Sequence, residues 1–338
     1  MTKTLLNINN LTTSFQIEDA YYAAVDDVSL TLNENEVLAV VGESGCGKSA
    51  LAFSIMQLHN RARIEGDILF KGDDITTYAR KQINKLRGDQ MGMIFQDPLT
   101  ALNPLKSIGD QITEILLLHN KKLSKDKRKK TAISLLDKVG ITFPAHVYNQ
   151  FPHELSGGMR QRAVVAIAIA NDPEVLIADE PTTSLDATIQ SQILDLLNDL
   201  KESMHAGIIL ITHDLGVVAE MADRVAVMYA GQMVEITDVY TLFNNPQHPY
   251  TRSLLSSVPS LEAVDSKLHV IQGIVPSLKK MPREGCRFRS RIPWIDQSAH
   301  EDHPQLREIS PGHFVRCTCY QSFYFPDEGK EDQHHGVS

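Results

Sequence analysis

Gly42-Glu43-Ser44-Gly45-Cys46-Gly47-Lys48-Ser49 sets three glycines after Val41, then a lysine and a hydroxyl, all directly behind the apolar run Val37 to Val41. Glycines let backbone N–H groups wrap a row of phosphates, and a helix starting behind them adds its positive end. In that arrangement Lys48 reaches the β and γ phosphates and Ser49 offers its hydroxyl to Mg²⁺, while Gly42, Ser44, Gly45, Cys46, Gly47 and Ala50 form the cradle. A second group, Asp179-Glu180, ends another apolar run, Val175 to Ala178. Asp179 suits Mg²⁺, and Glu180 suits polarisation of an attacking water. Gln96 and His213 end two further runs, Met91 to Phe95 and Ile208 to Thr212. Gln96 is placed to sense the metal and the water, and His213 to hydrogen-bond the γ-phosphate.

Leu155-Ser156-Gly157-Gly158-Met159-Arg160-Gln161-Arg162 is a third chemical stretch. Ser156 is a natural N-cap, and Gly157 and Gly158 leave the backbone open to a phosphate. The helix expected behind them, Met159 to Asn171, stops before Pro173. A simple capped helix has no need of two glycines in its first turn, where they cost stability. A second anion-binding helix start in one chain therefore implies a γ-phosphate supplied by a neighbour.

These residues must be positioned by something, and the periodicity says what. The first 40 residues alternate like antiparallel strands, with Val28, Leu30 and Leu32 on one face and a polar turn, Asn33-Glu34-Asn35-Glu36, before Val37. Ile68-Leu69-Phe70 and the runs ending at Val41, Phe95, Ala178 and Thr212 read as buried or half-buried strands. Ligands of open parallel sheets sit outside the carboxyl ends of the strands, so four such endings can converge on one site. Between Asp97 and Asn171 the pattern turns helical: Ile108, Ile112, Ile115 and Leu116 share a face, and Ala132 to Val139 is stopped by Gly140. The basic run Lys121 to Lys130 reads as a solvated helix start. After about Phe243, prolines at 246, 249, 259, 276, 282 and 293 punctuate an extension whose last residues, 327–338, are polar.

Bulk properties narrow the partners. The 338 residues allow one large domain and a smaller appendage. A net charge of -9 argues against nucleic acid as partner, since a duplex binder needs a basic face. The longest apolar run, Ala163 to Ala170, falls far short of the roughly 20 residues of a membrane span. Met1-Thr2-Lys3-Thr4 lacks a secretory pattern, so a cytoplasmic location is expected, with membrane association through a partner. Four cysteines, one inside the Gly-rich turn, make no disulfide framework.

In order and spacing, these motifs resemble the ATP-binding cassette family over about Leu5 to Glu235. Phe15, Gln96, Leu155 to Gln161, Asp179, Glu180, Asp186 and His213 each match a family position. The resemblance implies an α/β P-loop NTPase fold: a RecA-like parallel-sheet core with an antiparallel β subdomain, a helical insert at about 97–171 and an extension over 244–338 beyond a nucleotide-binding unit of 1–243. It implies ATP and Mg²⁺ as cofactors, with two such subunits clamping two ATP molecules head to tail. Phe15 would stack on adenine, with Tyr21 and Tyr22 as fallbacks, and Ser156 to Met159 would meet the γ-phosphate on the opposing subunit.

Phe95 to Pro104, His248 to Leu255 and Gly285-Cys286-Arg287-Phe288 are similar to ATPase subunits of oligopeptide and dipeptide importers. That implies a homologous second ATPase, two transmembrane permease subunits, an extracytoplasmic solute-binding protein and a place on the cytoplasmic face of the membrane. Asp97 to Asn103 would touch the membrane subunits. Nickel or metallophore cargo is the alternative within importers, and a non-transport cassette ATPase the alternative outside them. Met159 stands where the wider family most often has Gln, a change expected to be tolerated because it points along the helix. Many peptide-importer relatives carry a second cysteine after Cys-x-Phe-x-x-Arg and bind an iron–sulfur cluster; here Ile292 takes that place. With only Cys286, Cys317 and Cys319 in the extension, four thiolates are lacking and no cluster is expected. Packed or free thiols are the leading reading, with a Cys₃His zinc site using His313 as the alternative.

Overall fold

The computed structural model describes residues 3–183, 185–257 and 273–326. Ser184, Pro259 and the 327–338 tail lie outside the described residues. The chain opens with β1 (Thr4–Ile17), β2 (Ala20–Asn33), β3 (Val37–Val41), α1 (Lys48–Ile55), β4 (Ala62–Phe70), β5 (Asp73–Asp74), α2 (Arg80–Leu86) and β6 (Met91–Ile94). The helical stretch follows as α3 (Pro98–Ala101), α4 (Ile108–His119), α5 (Lys125–Lys138), α6 (Pro144–Val147) and α7 (Gly157–Ala168). Next come β7 (Val175–Asp179), α8 (Ala187–Met204), β8 (Gly207–Thr212), α9 (Leu215–Met221), β9 (Arg224–Tyr229) and β10 (Gln232–Asp238). The chain continues through α10 (Val239–Asn244), α11 (Pro249–Ser256), β11 (Leu306–Ser310) and β12 (His313–Arg316).

The main sheet has eight strands in the order β11-β12-β10-β9-β3-β8-β7-β6. Five neighbours, β9, β3, β8, β7 and β6, are parallel, so their carboxyl ends face one edge. Strand β3 shows why it sits centrally. All five of its residues are buried, with Leu38 and Val40 packed towards the second sheet and Ala39 and Val41 towards the extension. The second sheet, β2-β1-β4-β5, is antiparallel and buries Leu6, Ile8, Val28 and Leu32 over α1 and the main sheet. On the other face α4, α5, α7 and α8 enclose Ile112, Leu136, Val164 and Leu197 against Ile208 and Leu210.

Two helix bounds differ from the periodicity. α7 ends at Ala168 rather than Asn171, since Ile169 leaves helical geometry and Asp172 adopts φ +49° ahead of Pro173. The second amphipathic piece begins before Ala132, because the basic run is itself the solvated helix start: Lys125 to Lys130 form the first turns of α5 behind the Ser124 cap, with Lys side chains exposed to solvent.

The extension does more than follow the sheet. β12 pairs antiparallel with β10, and β11 with β12, so residues after 300 widen the main sheet. Glu235 on β10 fastens this addition. Its carboxylate is fully buried, lies 2.8 Å from His313 Nε2, and accepts the N–H groups of Gln247 and His248 at 2.8 and 2.9 Å. A buried carboxylate so surrounded is costly to delete, because its partners remain buried. Glu235→Ala is expected to lose about 3–5 kcal/mol in urea unfolding and to gain protease cleavage after Asn244. A loss under about 1 kcal/mol with unchanged proteolysis would contradict this role.

Candidate functional site

Backbone crowding shapes the turn between β3 and α1. A Cβ on Gly42 would lie 2.1 Å from the Met228 carbonyl oxygen, and one on Gly47 2.5 Å from that of Ala24. Both residues have positive φ, +155° and +113°, so glycine satisfies the conformation and the clearance together. Cys46 is buried, and its carbonyl accepts the Gly231 N–H at 2.7 Å, tying the turn to the β9–β10 hairpin. Ser44 and Gly45 remain exposed on the outer rim. No side chain caps α1, so the N–H groups at its start, including those of Ser49 and Ala50, stay available to an anion. Lys48 is buried within the turn, its ammonium donating to the Gly42 and Glu43 carbonyls at 2.7 and 3.2 Å.

Three strand ends converge beside this turn. Ser49 Oγ donates to Asp179 Oδ1 at 3.2 Å, joining α1 to the end of β7. Burial pushes the Asp179 carboxyl up, a trend that the Ser49 hydrogen bond opposes. Glu180 follows at φ +47°, its own N–H bonded to the Ile211 carbonyl at 2.8 Å. That left-handed conformation turns the chain off the strand. The Glu180 carboxylate accepts from Gln96 Nε2 at 2.8 Å and Thr183 Oγ1 at 2.9 Å, and lies 3.2 Å from His213 Nδ1. Partial burial works against the charge, yet hydrogen bonds from Thr183 and His213 hold this carboxyl below its ordinary value. Gln96, Glu180 and His213 therefore form one cluster, contributed by the ends of β6, β7 and β8.

Other residues singled out in the sequence stand apart. Ser156 caps α7 by accepting the Met159 N–H at 3.3 Å; Gly157 is exposed and Gly158 half-buried. A Cβ on Gly158 would lie 3.0 Å from Ile189 Cγ2. Asp186 caps α8 through the Ile189 N–H at 3.0 Å. Among the described residues no hydrogen bond joins these groups to the 42–50 turn. Phe15 pairs with Tyr22 across β1 and β2, and its ring meets His59 edge-on at 4.9 Å. His59 Nε2 in turn lies 3.1 Å from the Ala50 carbonyl, so Phe15 flanks the start of α1. Tyr21 is exposed, and Arg283 lies over the Tyr22 ring at 5.9 Å.

Thr183, Tyr250 and Arg291 also take part, though residue type and spacing do not give their roles. Thr183 follows Glu180 closely enough to have been suspected from the turn after Pro181. Tyr250 and Arg291 act over a long range: the Tyr250 hydroxyl accepts the Glu43 N–H at 2.8 Å, and Arg291 Nη1 donates to the Glu43 carboxylate at 2.8 and 3.1 Å. His313 corrects the zinc alternative. It is committed to Glu235 on β10, and the histidine beside the three extension thiols is His300.

Among the described residues no helix is long and apolar enough to cross a membrane. Residues 25–183 match the ABC transporter family, and residues 234–294 match the oligopeptide/dipeptide transporter C-terminal region. The oligopeptide transport ATP-binding protein OppD of Lactococcus lactis subsp. cremoris (strain SK11) is 50% identical over 327 residues, 96% of each chain. OppD of Bacillus subtilis (strain 168) is 47% identical over 316 residues, covering 92% of this chain and 88% of that one. Among solved structures, the dimeric post-hydrolysis state of the ATP-binding cassette MJ0796 bound to ADP and Pi aligns with a TM-score of 0.64 at 26% identity, covering 70% of this chain and 99% of that one. CbiO1 from Clostridium perfringens, part of an ABC transporter complex, aligns with a TM-score of 0.62 at 30% identity, covering 72% and 92%. With nearly its whole length shared with such relatives, the chain belongs to the ABC transporter family, among its ATP-binding proteins.

Proposed function

We propose that this chain hydrolyses ATP to energise a membrane importer of oligopeptides or dipeptides, working beneath two permease subunits and beside a homologous second ATPase. The observation that carries the catalytic part is the Glu180 carboxylate, gathered by Gln96, Thr183 and His213 beside the Ser49–Asp179 pair. The names of the relatives and the match of the extension support the cargo. An extracytoplasmic binding protein would deliver the peptide, and the chain would sit on the cytoplasmic face through its permease contacts at Asp97 to Asn103.

Ser49 Oγ, the Asp179 carboxylate and the Gln96 amide oxygen are hard oxygen donors of the kind Mg²⁺ takes. Bound there, the metal would neutralise charge on the β and γ phosphates. The chain's own groups do the rest. Lys48 can exchange its carbonyl partners for phosphate oxygens, a charge-assisted and therefore stronger bond. Glu180 orients water for in-line attack, Gln96 and Thr183 fix its carboxylate, and His213 offers a hydrogen bond to the γ-phosphate. The α7 start, with Gly157 exposed and free of overlying atoms and Gly158 half-buried against Ile189, would serve the nucleotide held by the second subunit.

Glu180→Gln is expected to keep ATP binding and lose roughly 10²- to 10⁴-fold in turnover, with uptake of labelled oligopeptide abolished in cells that depend on this chain. Phosphate release near wild type in the assembled complex would remove Glu180 from the role. Thr183→Val removes a hydrogen bond that favours the charged carboxylate, so the Glu180 pKa rises. Because activity needs the carboxylate, the acid limb of the ATPase pH profile should move to higher pH, and an unmoved limb would count against Glu180 as the titrating group. Gly158→Asp should leave nucleotide affinity of the isolated chain nearly unchanged and cripple hydrolysis by the pair. Loss of binding in the isolated chain would instead assign α7 a local folding role.

A further inference from the structure

Cys286, His300, Cys317 and Cys319 come from three separate segments of the extension, and their ligand atoms all lie within 4.8 Å of one another. All four are buried, with exposures of 7%, 8%, 2% and 0% in that order. His300 supplies an independent observation. Both of its ring nitrogens are buried, and neither has a hydrogen-bond partner among the described residues. An imidazole taken out of water with no acceptor or donor is costly, and a metal ion is one group that removes that cost.

The backbone holds the three segments together around these atoms. The Gly285 N–H bonds the Asp302 carbonyl at 2.8 Å, bringing the Cys286 turn to the His300 segment. Thr318 Oγ1 donates to the Ala299 carbonyl at 3.2 Å, bringing the Cys317–Cys319 turn to the same place. Cys317 adopts φ +69°, a conformation that a side chain enters only when its surroundings impose it. The arrangement is thus fixed by contacts outside the four ligand atoms.

We infer that these four residues form a mononuclear, tetrahedral Cys₃His zinc site. Zinc with thiolate bonds of about 2.3 Å and an imidazole bond of about 2.0 Å sets its ligand atoms roughly 3.5–3.8 Å apart. Small rotamer adjustments bring the present spacing to that value. The iron–sulfur cluster of many relatives does not fit. Four irons, each carrying one ligand, spread the ligand atoms to about 6 Å, wider than this group, and only three thiolates are on hand. Three thiolates crowded in a buried pocket repel one another, and a dication offsets that repulsion while fixing the segments.

The position gives the site a structural consequence. Cys286 is followed by Arg287, which pairs with Asp26, by Phe288, which packs on Tyr229 and Tyr250, and by Arg291, which pairs with Glu43 in the phosphate turn. Zinc would hold this segment at its N-terminal end.

The test uses the full chain purified without added metal. One zinc per chain is expected, with no acid-labile sulfide. Replacement by Co²⁺ should give thiolate charge-transfer and tetrahedral d–d absorption, and chelation should lower the melting temperature until Zn²⁺ alone restores it. His300→Ala and Cys319→Ser should each retain under about a tenth of the zinc, while Cys46→Ser retains all of it. His300→Cys, which keeps four ligands, should fold and bind one zinc if the alanine variant proves insoluble. Stoichiometric iron with sulfide, a metal-free chain with a disulfide by thiol titration, or zinc retained in both ligand variants would overturn the inference.

Discussion

The whole arrangement depends on how closely the carbonyls of Ala24 and Met228 approach the turn after β3. Those oxygens occupy the space where side chains of residues 42 and 47 would otherwise stand. The crowding selects glycine twice and aims successive N–H groups outward. It also links three layers, because Ala24 belongs to the antiparallel sheet, Met228 to the main sheet and residue 47 to the start of α1. A shift of either strand would move the 42–50 turn directly, so the packing of Leu38, Val40, Ile209 and Leu51 beneath it also positions that turn.

The extension supplies a second brace on the same turn. Glu43 is held through its N–H by Tyr250 and through its carboxylate by Arg291. Tyr250, Tyr229 and Phe288 form an aromatic group with ring centroids 4.7 to 5.5 Å apart, and Arg291 lies over two of those rings. A carboxylate inside a turn proposed to hold phosphates would repel them. Pairing it with a buried guanidinium draws that charge backwards, away from the rim formed by Ser44 and Gly45. The extension is therefore part of the electrostatics of the 42–50 turn.

Local pattern made much of this legible from the residues alone. The strands ending at Val41, Ala178 and Thr212 are continuous apolar runs because both of their faces are covered, and the residue after each run falls at the sheet edge by geometry. The insert was legible because Ile108, Ile112 and Leu116 repeat with helical period. What escaped was long-range. Strands β11 and β12 lie in what reads only as a Pro-punctuated extension, since β11 is a short, exposed edge strand, β12 has only four residues, and the pairing of β12 to β10 is fastened by the remote Glu235–His313 contact. His300 rather than His313 stands beside the thiols, and sequence spacing from the cysteines does not say which imidazole the fold turns towards them.

The glycines of α7 and the Gln96–Glu180–His213 cluster look separate, yet one helix, α8, lies between them. Gly158 stands against Ile189 in the first turn of α8, with no room for a larger residue there unless Ile189 moves. The next residue, Gln190, donates to Asp214 Oδ2 at 3.3 Å, immediately after His213. Asp214 in turn caps α9 by accepting the Gly216 N–H at 2.8 Å, so the segment carrying His213 has its position set from both sides. A neighbour's phosphate pressing on the α7 start would load α8 at Ile189, and α8 bears on the segment that places His213 beside Glu180. The helix is long, 18 residues, and is anchored by buried Ile193, Leu194 and Leu197. In the proposed pair, a phosphate bound at the α7 start would thus have a mechanical route through α8 to this chain's own Glu180 carboxylate.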